Sequence, residues 1–322
     1  MNILICSDGF PHVVSSLQKY LPSDEIIPSP IPDLPRHLSR ADVIVPAMHY
    51  VGPEVMDATP ARLINQFGIG LEGVDVDAAT ERGIYVANVP GALAMSNAIS
   101  VAEHAIFLML ALARQYPQAH ECLQAGVWGQ PQGRSLRGKT VGILGMGSIG
   151  KALARRLKPF ESTLLGIKRD PAVEVDPELG LEFLGGPADL ASVLPHCDFL
   201  VLALPLTPET RSIINGDALG RMKRGSYVVN VGRGPVIDHD ALVDALASGH
   251  IAGAGLDVFW QEPIDPTDPV FKHNVIATPH VAGVTDTSYN EIAKGLADNV
   301  ERIRSGLPPL NCVNLCNISV PR

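Results

Sequence analysis

A histidine, a glutamate and an arginine each follow a predicted buried strand in the C-terminal half of the chain. His280 comes directly after "NVIATP", Glu262 lies in the loop after "AGAGLDVF", and Arg233 follows "SYVVNV". Histidine can donate a proton near neutral pH, and a neighbouring carboxylate favours its protonated ring. Arginine offers a planar fork that fits a carboxylate and polarises an adjacent carbonyl. The three residue types therefore suggest proton transfer beside a bound carboxylate.

A glycine-rich segment supplies the second part of the predicted site. It follows the predicted strand "KTVGILG", opens an amphipathic helix and consists of Gly145, Met146, Gly147, Ser148, Ile149 and Gly150. The first glycine permits a tight turn, the second lets the backbone approach a pyrophosphate, and the third lets helix and strand pack closely. The helix N-terminus then presents unpaired N–H groups to the phosphates. This context indicates a dinucleotide site rather than a glycine turn without a ligand.

The end of the next predicted strand, 163–168, bears on the identity of the dinucleotide. An NAD site usually has Asp or Glu there, which binds the ribose 2′-hydroxyl. This chain has Lys168 and Arg169 instead, and two cations suit a 2′-phosphate. We therefore expect NADP(H). NAD(H) stays the alternative, because Asp170 could fold back to the hydroxyl or both cations could face solvent.

Ligands of open α/β sheets bind outside the carboxyl ends of the parallel strands. If the strands are neighbours, Arg233, Asp257, Glu262 and His280 share one edge with the glycine segment. Taken together, they predict hydride transfer between a nicotinamide and a carbonyl, with His280 supplying the proton. Asp257 could hold the nicotinamide carboxamide. Taken singly, each residue could equally be an ordinary loop or turn residue.

Two other histidines are weaker candidates for the proton donor. His239 follows Asp238, a typical helix N-cap, so we expect His239 to begin a helix. His196 precedes a predicted strand and would lie at the opposite edge of the sheet.

The apolar segments alternate with helical patterns, which is typical of parallel sheets with helices on both faces. The Pro/Ser-rich segment 28–39 is interpreted as a surface connection. The pattern predicts strands over 2–7, 42–47, 62–67, 84–89, 139–145, 163–168, 198–204, 226–231, 252–259 and 274–279, and long helices over 96–115 and 287–305.

Composition narrows the class of protein. A chain of 322 residues suggests about two domains, and a net charge of −9 without a basic run argues against nucleic acid or an anionic membrane as partner. The N-terminus lacks a basic region, and the apolar run 105–113 is short for a bilayer, so it predicts a buried helix. Five cysteines match neither a disulfide framework nor a zinc site. We therefore expect reduced thiols, no metal and a cytoplasmic location.

The chain resembles the D-isomer-specific 2-hydroxyacid dehydrogenase family over nearly its whole length. The resemblance rests on "GILGMGSIGKALARRLKPF", "LPLTPETRSIIN", "VNVGRGPVIDHDALVDAL", "GLDVFWQEP" and "TPHVAGVT". It implies a flavodoxin-like substrate domain built from 1–96 and 288–322. It also implies an inserted Rossmann-type NAD(P)-binding domain, 97–287, and homodimers formed largely around the long helix.

The resemblance also implies site residues. Arg233, Glu262 and His280 would be catalytic, and backbone N–H groups near Ile69 and Gly70 would bind the substrate carboxylate together with Arg233 and His280. The cofactor contacts implied are the glycine segment 145–150, Lys168, Arg169, Leu204, Pro205, Thr210, Val231, Gly232, Arg233, Asp257, His280 and Gly283. The substrate side chain would be read by the first domain, where Met48, His49 and the segment 92–98 are candidates.

Several substrates fit these motifs. The Lys-Arg strand end resembles the glyoxylate/hydroxypyruvate reductase branch. Because the chain ends soon after its last helix, we expect it to lack the regulatory domain of long phosphoglycerate dehydrogenases. The segment 89–104 resembles formate-using relatives, but these carry Gln in place of Glu262, so the Glu–His pair favours a keto acid. Alternatives are an NAD-linked dehydrogenase of another D-2-hydroxy acid or of phosphite, and a non-catalytic dinucleotide sensor.

Overall fold

A computed structural model of the chain describes residues 1–90, 94–173 and 176–318. The chain divides into two compact units, and each is described by itself. The terminal unit comprises Met1–Asn97 and Val284–Arg322, and the inserted unit comprises Ala98–Gly283. The first crossing falls inside a long helix, and the second falls just before the last helix.

The terminal unit begins with alternating strands and helices. They are β1 (Asn2–Ile5), α1 (Pro11–Tyr20), β2 (Glu25–Pro28), α2 (Leu34–Leu38), β3 (Val43–Val45), α3 (Pro53–Asp57), β4 (Leu63–Asn65), α4 (Val76–Glu81) and β5 (Tyr85–Ala87). Helix α5 (Met95–Ala113) then carries the chain into the inserted unit.

The inserted unit follows the same alternation at greater length. Its elements are α6 (Tyr116–Gln124), β6 (Thr140–Leu144), α7 (Ser148–Leu157), β7 (Thr163–Ile167), β8 (Phe183–Gly185), α8 (Leu190–Val193), β9 (Phe199–Leu202), α9 (Gly216–Arg221), β10 (Ser226–Asn230), α10 (His239–Ala247), β11 (Ile251–Leu256) and β12 (Val275–Ala277). Helix α11 (Asp286–Arg304) then returns the chain to the terminal unit.

Within the described residues, the strands form two parallel sheets. The terminal unit has the order β2-β1-β3-β4-β5, which is the flavodoxin-like order, and the inserted unit has β12-β11-β10-β9-β6-β7-β8. In the second sheet, β6 lies between β7 and β9, so the strand order reverses at β6. These two doubly wound sheets confirm the predicted fold class.

Both faces of each sheet are covered. In the terminal unit, α1 and α11 pack on one face and α2 to α4 on the other. In the inserted unit, neighbouring residues of β10 point to opposite cores: Val229 packs with α5 and α7, and Val228 packs with α9 and α10. The strands are therefore apolar throughout, which explains why they read as continuous apolar runs in the sequence.

Helix α5 is long and apolar enough, by length and composition alone, to cross a membrane. Core helices of soluble proteins pass the same test, and half of its most apolar window is buried. Leu108 and Leu112 lie so close to β11 that a Cβ at Gly253 or Gly255 would come within 3.0 Å of a leucine side chain. The helix is the buried element that the sequence predicts.

The sequence analysis missed two strands and misassigned one segment. β2 and β8 lie at sheet edges, where a strand pairs on one side only and needs little apolar length. Helix α2 lies inside the segment 28–39, which we interpreted as a surface connection, and that interpretation was wrong. Proline in the first turn of a helix is tolerated, and burial of Leu34 and Leu38 holds α2 against the sheet.

Candidate active site

The glycine segment forms the turn that the sequence predicts. Gly145 has a φ of 107°, and a Cβ there would meet the carbonyl oxygen of Ala203 at 2.6 Å. A Cβ at Gly150 would lie 2.0 Å from the carbonyl oxygen of Gly145, so the start of α7 approaches the turn closely. A Cβ at Gly147, by contrast, would meet nothing within 4 Å. The space beside Gly147 at the N-terminus of α7 therefore fits a pyrophosphate.

Arg233, Asp257 and His280 lie at the same edge of the sheet as the glycine segment. Strands β6, β9, β10, β11 and β12 are parallel, so their carboxyl ends meet at one edge. The glycine segment follows β6, Arg233 follows β10, Asp257 follows β11, and His280 follows β12. The strand order reverses between β6 and β9, where open α/β sheets bind ligands.

His280 and Glu262 form a hydrogen-bonded pair. Nδ1 of His280 lies 2.7 Å from Oε2 of Glu262, and Oε1 of Glu262 accepts a hydrogen bond from the backbone N–H of Phe259 at 2.9 Å. Because a carboxylate only accepts hydrogen bonds, Nδ1 carries the proton in this pair. Nε2 is then the nitrogen through which the ring can exchange a proton with a ligand. The His280 side chain is 38% exposed, so solvent-borne ligands can reach it.

The carboxylate of Glu262 is held in its charged form. Burial disfavours that form, but the hydrogen bond and charge of His280, the N–H of Phe259 and the charge of Arg233 outweigh burial and lower the pKa of Glu262. The charge of Arg233 therefore acts on the Glu262 carboxylate. Arg233 itself has an extended backbone, and its Nη1 donates to the carbonyl of Gly232 at 2.8 Å.

Asp257 holds the loop that carries His280. Its Oδ1 accepts from the Thr278 hydroxyl at 2.6 Å and from the N–H of Val281 at 2.9 Å, and its Oδ2 accepts from the N–H of Ala282 at 2.9 Å. The N–H of His280 donates to the Asp257 carbonyl at 2.9 Å. These bonds stabilise His280 at a φ of 54°, a left-handed conformation that costs non-glycine residues free energy. A contact of Asp257 with the nicotinamide stays a prediction.

His104 is a residue of this site that the sequence analysis missed. Its Nε2 lies 2.8 Å from the Thr278 hydroxyl and 3.6 Å from Oδ1 of Asp257. Since Thr278 donates to Asp257, it accepts from His104, so Nε2 carries the hydrogen. Burial lowers the pKa of His104 despite the nearby Asp257 charge. The sequence signal for His104 was its position three residues after Val101 and four before Leu108, which places it on the same helix face as these two buried residues.

Of the two cations at the end of β7, one is hydrogen-bonded within its own loop and the other is exposed. Nζ of Lys168 donates to the carbonyl of Val173 at 2.7 Å, while Arg169 is exposed and its charge acts on Glu209. Asp170, the alternative ribose contact, accepts from the N–H of Ala172 at 3.0 Å. Asp170 thus stabilises the turn that follows the strand.

The other expected cofactor residues lie in loops of this unit. Thr210 donates to the Pro205 carbonyl at 2.7 Å and shapes the loop after β9, which also contains Leu204. A Cβ at Gly232 would lie 2.6 Å from the Leu204 carbonyl, so this loop and the end of β10 touch. Val231 is buried beneath that contact, and Gly283 is half-buried after the His280 loop.

The expected substrate contacts Ile69 and Gly70 belong to the terminal unit. They follow β4 in a turn where Gly68 has a φ of 135° and Ile69 is 40% exposed. The amide of Gln66 fixes the start of the turn, because it accepts from the N–H of Phe67 at 2.9 Å and donates to the Ala47 carbonyl at 3.1 Å.

The candidates for reading the substrate side chain lie after β3. Met48 is exposed, and His49 lines a cavity of about 560 Å³ with Tyr50 and the start of α3. Burial lowers the pKa of His49. Of the expected segment 92–98, residues 92 and 93 lie outside the described residues. Among those described, no group of three or more His, Cys, Asp or Glu residues could hold a metal ion.

Residues 106–282 match the family model described as "D-isomer specific 2-hydroxyacid dehydrogenase, NAD binding domain". The chain belongs to this family. The match covers more than half of the chain and confirms the resemblance drawn from its motifs. The protein is therefore a nicotinamide-dependent oxidoreductase of the 2-hydroxyacid dehydrogenase class.

Curated relatives extend the match to the terminal unit. The glyoxylate reductase of Korarchaeum cryptofilum is 40% identical over 272 residues, which cover 82% of this chain and 80% of that protein. The D-3-phosphoglycerate dehydrogenase of Archaeoglobus fulgidus is 36% identical over 280 residues, which cover 86% of this chain. The chain spans about half of that longer relative, 52% of its length.

Solved structures share the whole fold. The NADPH-dependent glyoxylate/hydroxypyruvate reductase of Sinorhizobium meliloti, in complex with NADP and malonate, has a TM-score of 0.82 and 33% identity, covering 100% of this chain and 98% of its own. The NAD-dependent formate dehydrogenase of Staphylococcus aureus, in complex with NAD, has a TM-score of 0.80 and 31% identity, covering 96% and 97%. Both dinucleotides thus occur among similar structures.

Proposed function

We propose that the protein reduces a small 2-keto acid, glyoxylate or hydroxypyruvate, to the corresponding 2-hydroxy acid, with NADPH as the preferred reductant. The observation that carries this proposal is the His280–Glu262 hydrogen bond on the same sheet edge as the glycine segment. The family resemblance implies that formate-using relatives carry Gln in place of Glu262. A Glu–His pair serves a reaction that consumes a proton, and carbonyl reduction does so.

Each residue has a role in that reaction. When bound, the dinucleotide supplies the hydride that reaches the carbonyl carbon. Nε2 of His280 donates a proton to the carbonyl oxygen as negative charge develops there, and Glu262 stabilises the protonated ring through Nδ1. Arg233 pairs with the substrate carboxylate and polarises the carbonyl. We further propose that the N–H groups of Ile69 and Gly70 in the terminal unit are substrate contacts.

The preference for NADPH rests on the end of β7. Lys168 and Arg169 stand where a ribose-binding carboxylate is expected, and one oxygen of Asp170 accepts a hydrogen bond within its own turn. The solved relative that holds NADP and acts on glyoxylate and hydroxypyruvate, by its description, shares the whole fold. A cation at this position binds a 2′-phosphate more strongly than a 2′-hydroxyl.

Initial rates with NADPH and with NADH, each against glyoxylate and hydroxypyruvate, test the proposal. We expect turnover of at least one keto acid and a lower KM for NADPH. The double substitution Lys168→Ala with Arg169→Ala should raise the KM for NADPH by about 10- to 100-fold, because two charged contacts are lost, and leave that for NADH within about twofold. Arg137→Ala removes an exposed cation just before β6, at the opposite edge of the same sheet, and is the matched control.

Other outcomes would point to the alternatives. A lower KM for NADH in the unchanged protein would contradict the 2′-phosphate contact and leave the keto-acid proposal intact. Oxidation of phosphite or of formate with no keto-acid reduction would contradict the substrate class. Tight dinucleotide binding without turnover of any 2-keto acid would favour a dinucleotide sensor.

We also propose that the protein is a cytoplasmic homodimer. Its five cysteines are thiols, and apolar side chains on and after α6 are exposed: Tyr116 (62%), Leu123 (63%) and Trp128 (85%). Sedimentation velocity should give twice the chain mass for the protein. Leu123→Glu with Trp128→Glu should give the monomer, because two charges are costly to bury in an interface. A monomer before substitution would contradict the proposal.

A further inference from the structure

His239 is a second histidine that lies between carboxylates, and the proposed reaction does not use it. It is the first residue of α10, after the N-cap Asp238. Its Nδ1 lies 2.7 Å from Oδ1 of Asp240, and its Nε2 lies 3.0 Å from Oδ1 of Asp268. Ionised carboxylates only accept hydrogen bonds, so both bonds form together only when both ring nitrogens carry hydrogen.

The His239 ring also supports Trp260. The two rings meet edge to face, with centroids 4.6 Å apart and an interplanar angle of 88°. The indole N–H of Trp260 donates to the carbonyl of Ile237 at 2.7 Å, two residues before His239. Trp260 is therefore held by the start of α10 through one hydrogen bond and one ring contact.

Trp260 belongs to the short segment that carries Glu262. The N–H of Phe259 donates to one Glu262 oxygen, and His280 bonds the other. The backbone of this segment is packed tightly against Gly234, since a Cβ there would lie 2.0 Å from the Phe259 carbonyl carbon. A shift of Trp260 must therefore move the backbone that aims Glu262 at His280.

We propose that His239 is a positioning residue for Glu262, which acts through Trp260 and does so fully only in its protonated form. The proposal rests on the proposed function of the Glu262–His280 pair. Among the described residues, no hydrogen bond or ring contact joins His239 to Glu262 or His280. Its neutral ring can donate to only one of the two carboxylates, so deprotonation releases Asp240 or Asp268 and loosens the contact with Trp260.

The charges around His239 determine how its support of Trp260 changes with pH. Burial favours the neutral ring, but the hydrogen bonds and charges of Asp268 and Asp240 outweigh burial and raise the pKa of His239 above 6.5. Asp240 faces the ring from α10 and Asp268 from the turn before β12, where Asp265 adds further negative charge. The support is therefore complete below pH 6.5 and is lost as the pH rises through the raised pKa.

The kinetic test is the ratio of wild-type kcat to that of His239→Gln, measured from pH 5.5 to pH 9 with the keto acid and NADPH. We expect a ratio of about 10 at the acidic end, with KM within about twofold, because misplacement of a catalytic partner lowers kcat. The ratio should approach one as the pH rises, since the wild-type ring then loses its proton too. Asp268→Asn should move this transition to lower pH.

A second measurement does not depend on turnover. Hydrogen exchange of the peptide 258–264 at pH 6 should be faster in His239→Gln, because the Phe259 N–H loses protection as Glu262 shifts. The matched control is His250→Gln, which removes a ring bonded to the Met222 carbonyl and to no carboxylate. His250→Gln should leave hydrogen exchange in 258–264 unchanged. Its kcat should match that of the wild type at every pH. Asp268→Asn serves as the second variant if His239→Gln fails to fold.

The outcomes separate the two proposals. A kcat ratio that does not vary with pH would mean that His239 is only structural and would overturn the inference. Unchanged exchange in 258–264 would overturn it as well. Absence of keto-acid turnover, with exchange still faster in His239→Gln, would overturn the proposed function and keep the positioning contact.

Discussion

The inserted unit contains two histidine–carboxylate groups that differ in how many ring nitrogens are bonded. Hydrogen bonds within the described residues engage Nδ1 of His280 with Glu262 and both nitrogens of His239 with Asp240 and Asp268. His280 has a left-handed backbone on a loop beyond a strand, whereas His239 begins a capped helix. A ring with one nitrogen available can pass a proton to a ligand, and a ring with both nitrogens bonded holds its surroundings together.

The comparison shows that a carboxylate neighbour does not by itself identify a catalytic histidine. Sequence proximity would rank the two groups in the opposite order to the roles proposed above, because Asp238 and Asp240 flank His239 directly while Glu262 lies 18 residues from His280. The distinction lies in where each ring sits relative to the glycine segment and in which nitrogen is left for a ligand. Substitutions can test this difference at three levels.

The largest effect should come from His280. His280→Gln should lower kcat for the keto acid by about 100- to 10,000-fold, because the proton donor is lost while the ring volume is partly kept. Steady-state kinetics with NADPH would measure it, with dinucleotide binding by fluorescence as the check that the protein is intact. A kcat within tenfold of the wild type would mean that another group donates the proton.

Glu262→Gln should have the next largest effect, lowering kcat by about 10- to 100-fold through loss of the charge that stabilises protonated His280. Because the pKa of Glu262 is lowered, its charge is complete above pH 4.5 and is lost only as the pH falls through the lowered pKa. Acidification to pH 5 should therefore leave the wild-type pair intact. A pH profile of kcat/KM that falls steeply between pH 6 and pH 5 would contradict this expectation.

The smallest effect should be on stability, through Asp268. Asp268→Asn keeps the hydrogen bond to the N–H of Val270 but removes the charge opposite His239. It should lower the free energy of unfolding by about 1 kcal/mol at pH 6, and this loss should shrink as the pH rises through the raised pKa of His239. Urea unfolding at several pH values would measure it. A loss that grows with pH would reverse the assigned direction.

Local chemistry made the glycine segment predictable. The conformations required at Gly145 and Gly150 depend on a strand, a turn and a helix that are contiguous in the chain. The same holds for the N-cap of α10, since Asp238 accepts from the N–H of Ala241 three residues later. The long apolar strands were also readable, because burial on both faces leaves an uninterrupted apolar run.

Short elements with few apolar residues could not be predicted from the sequence. The edge strand β8 has three residues, one of them glycine, and the proline-rich surroundings of α2 conceal a helix whose signal is two buried leucines four residues apart. Each is stabilised by a sheet assembled from distant segments. Their own sequence therefore carries too little of the stabilising contact to reveal them.

The sequence by itself determined the doubly wound fold, the glycine turn after β6 and the order in which Arg233, Glu262 and His280 leave their strands. Only the tertiary structure decided the pairing of ring nitrogens, the left-handed conformation of His280, and the Asp257 and His104 bonds that support it. The first set depends on interactions within a few residues. The second depends on side chains that lie 18 to 174 positions apart, and their distances are fixed only when the parallel strands are placed side by side.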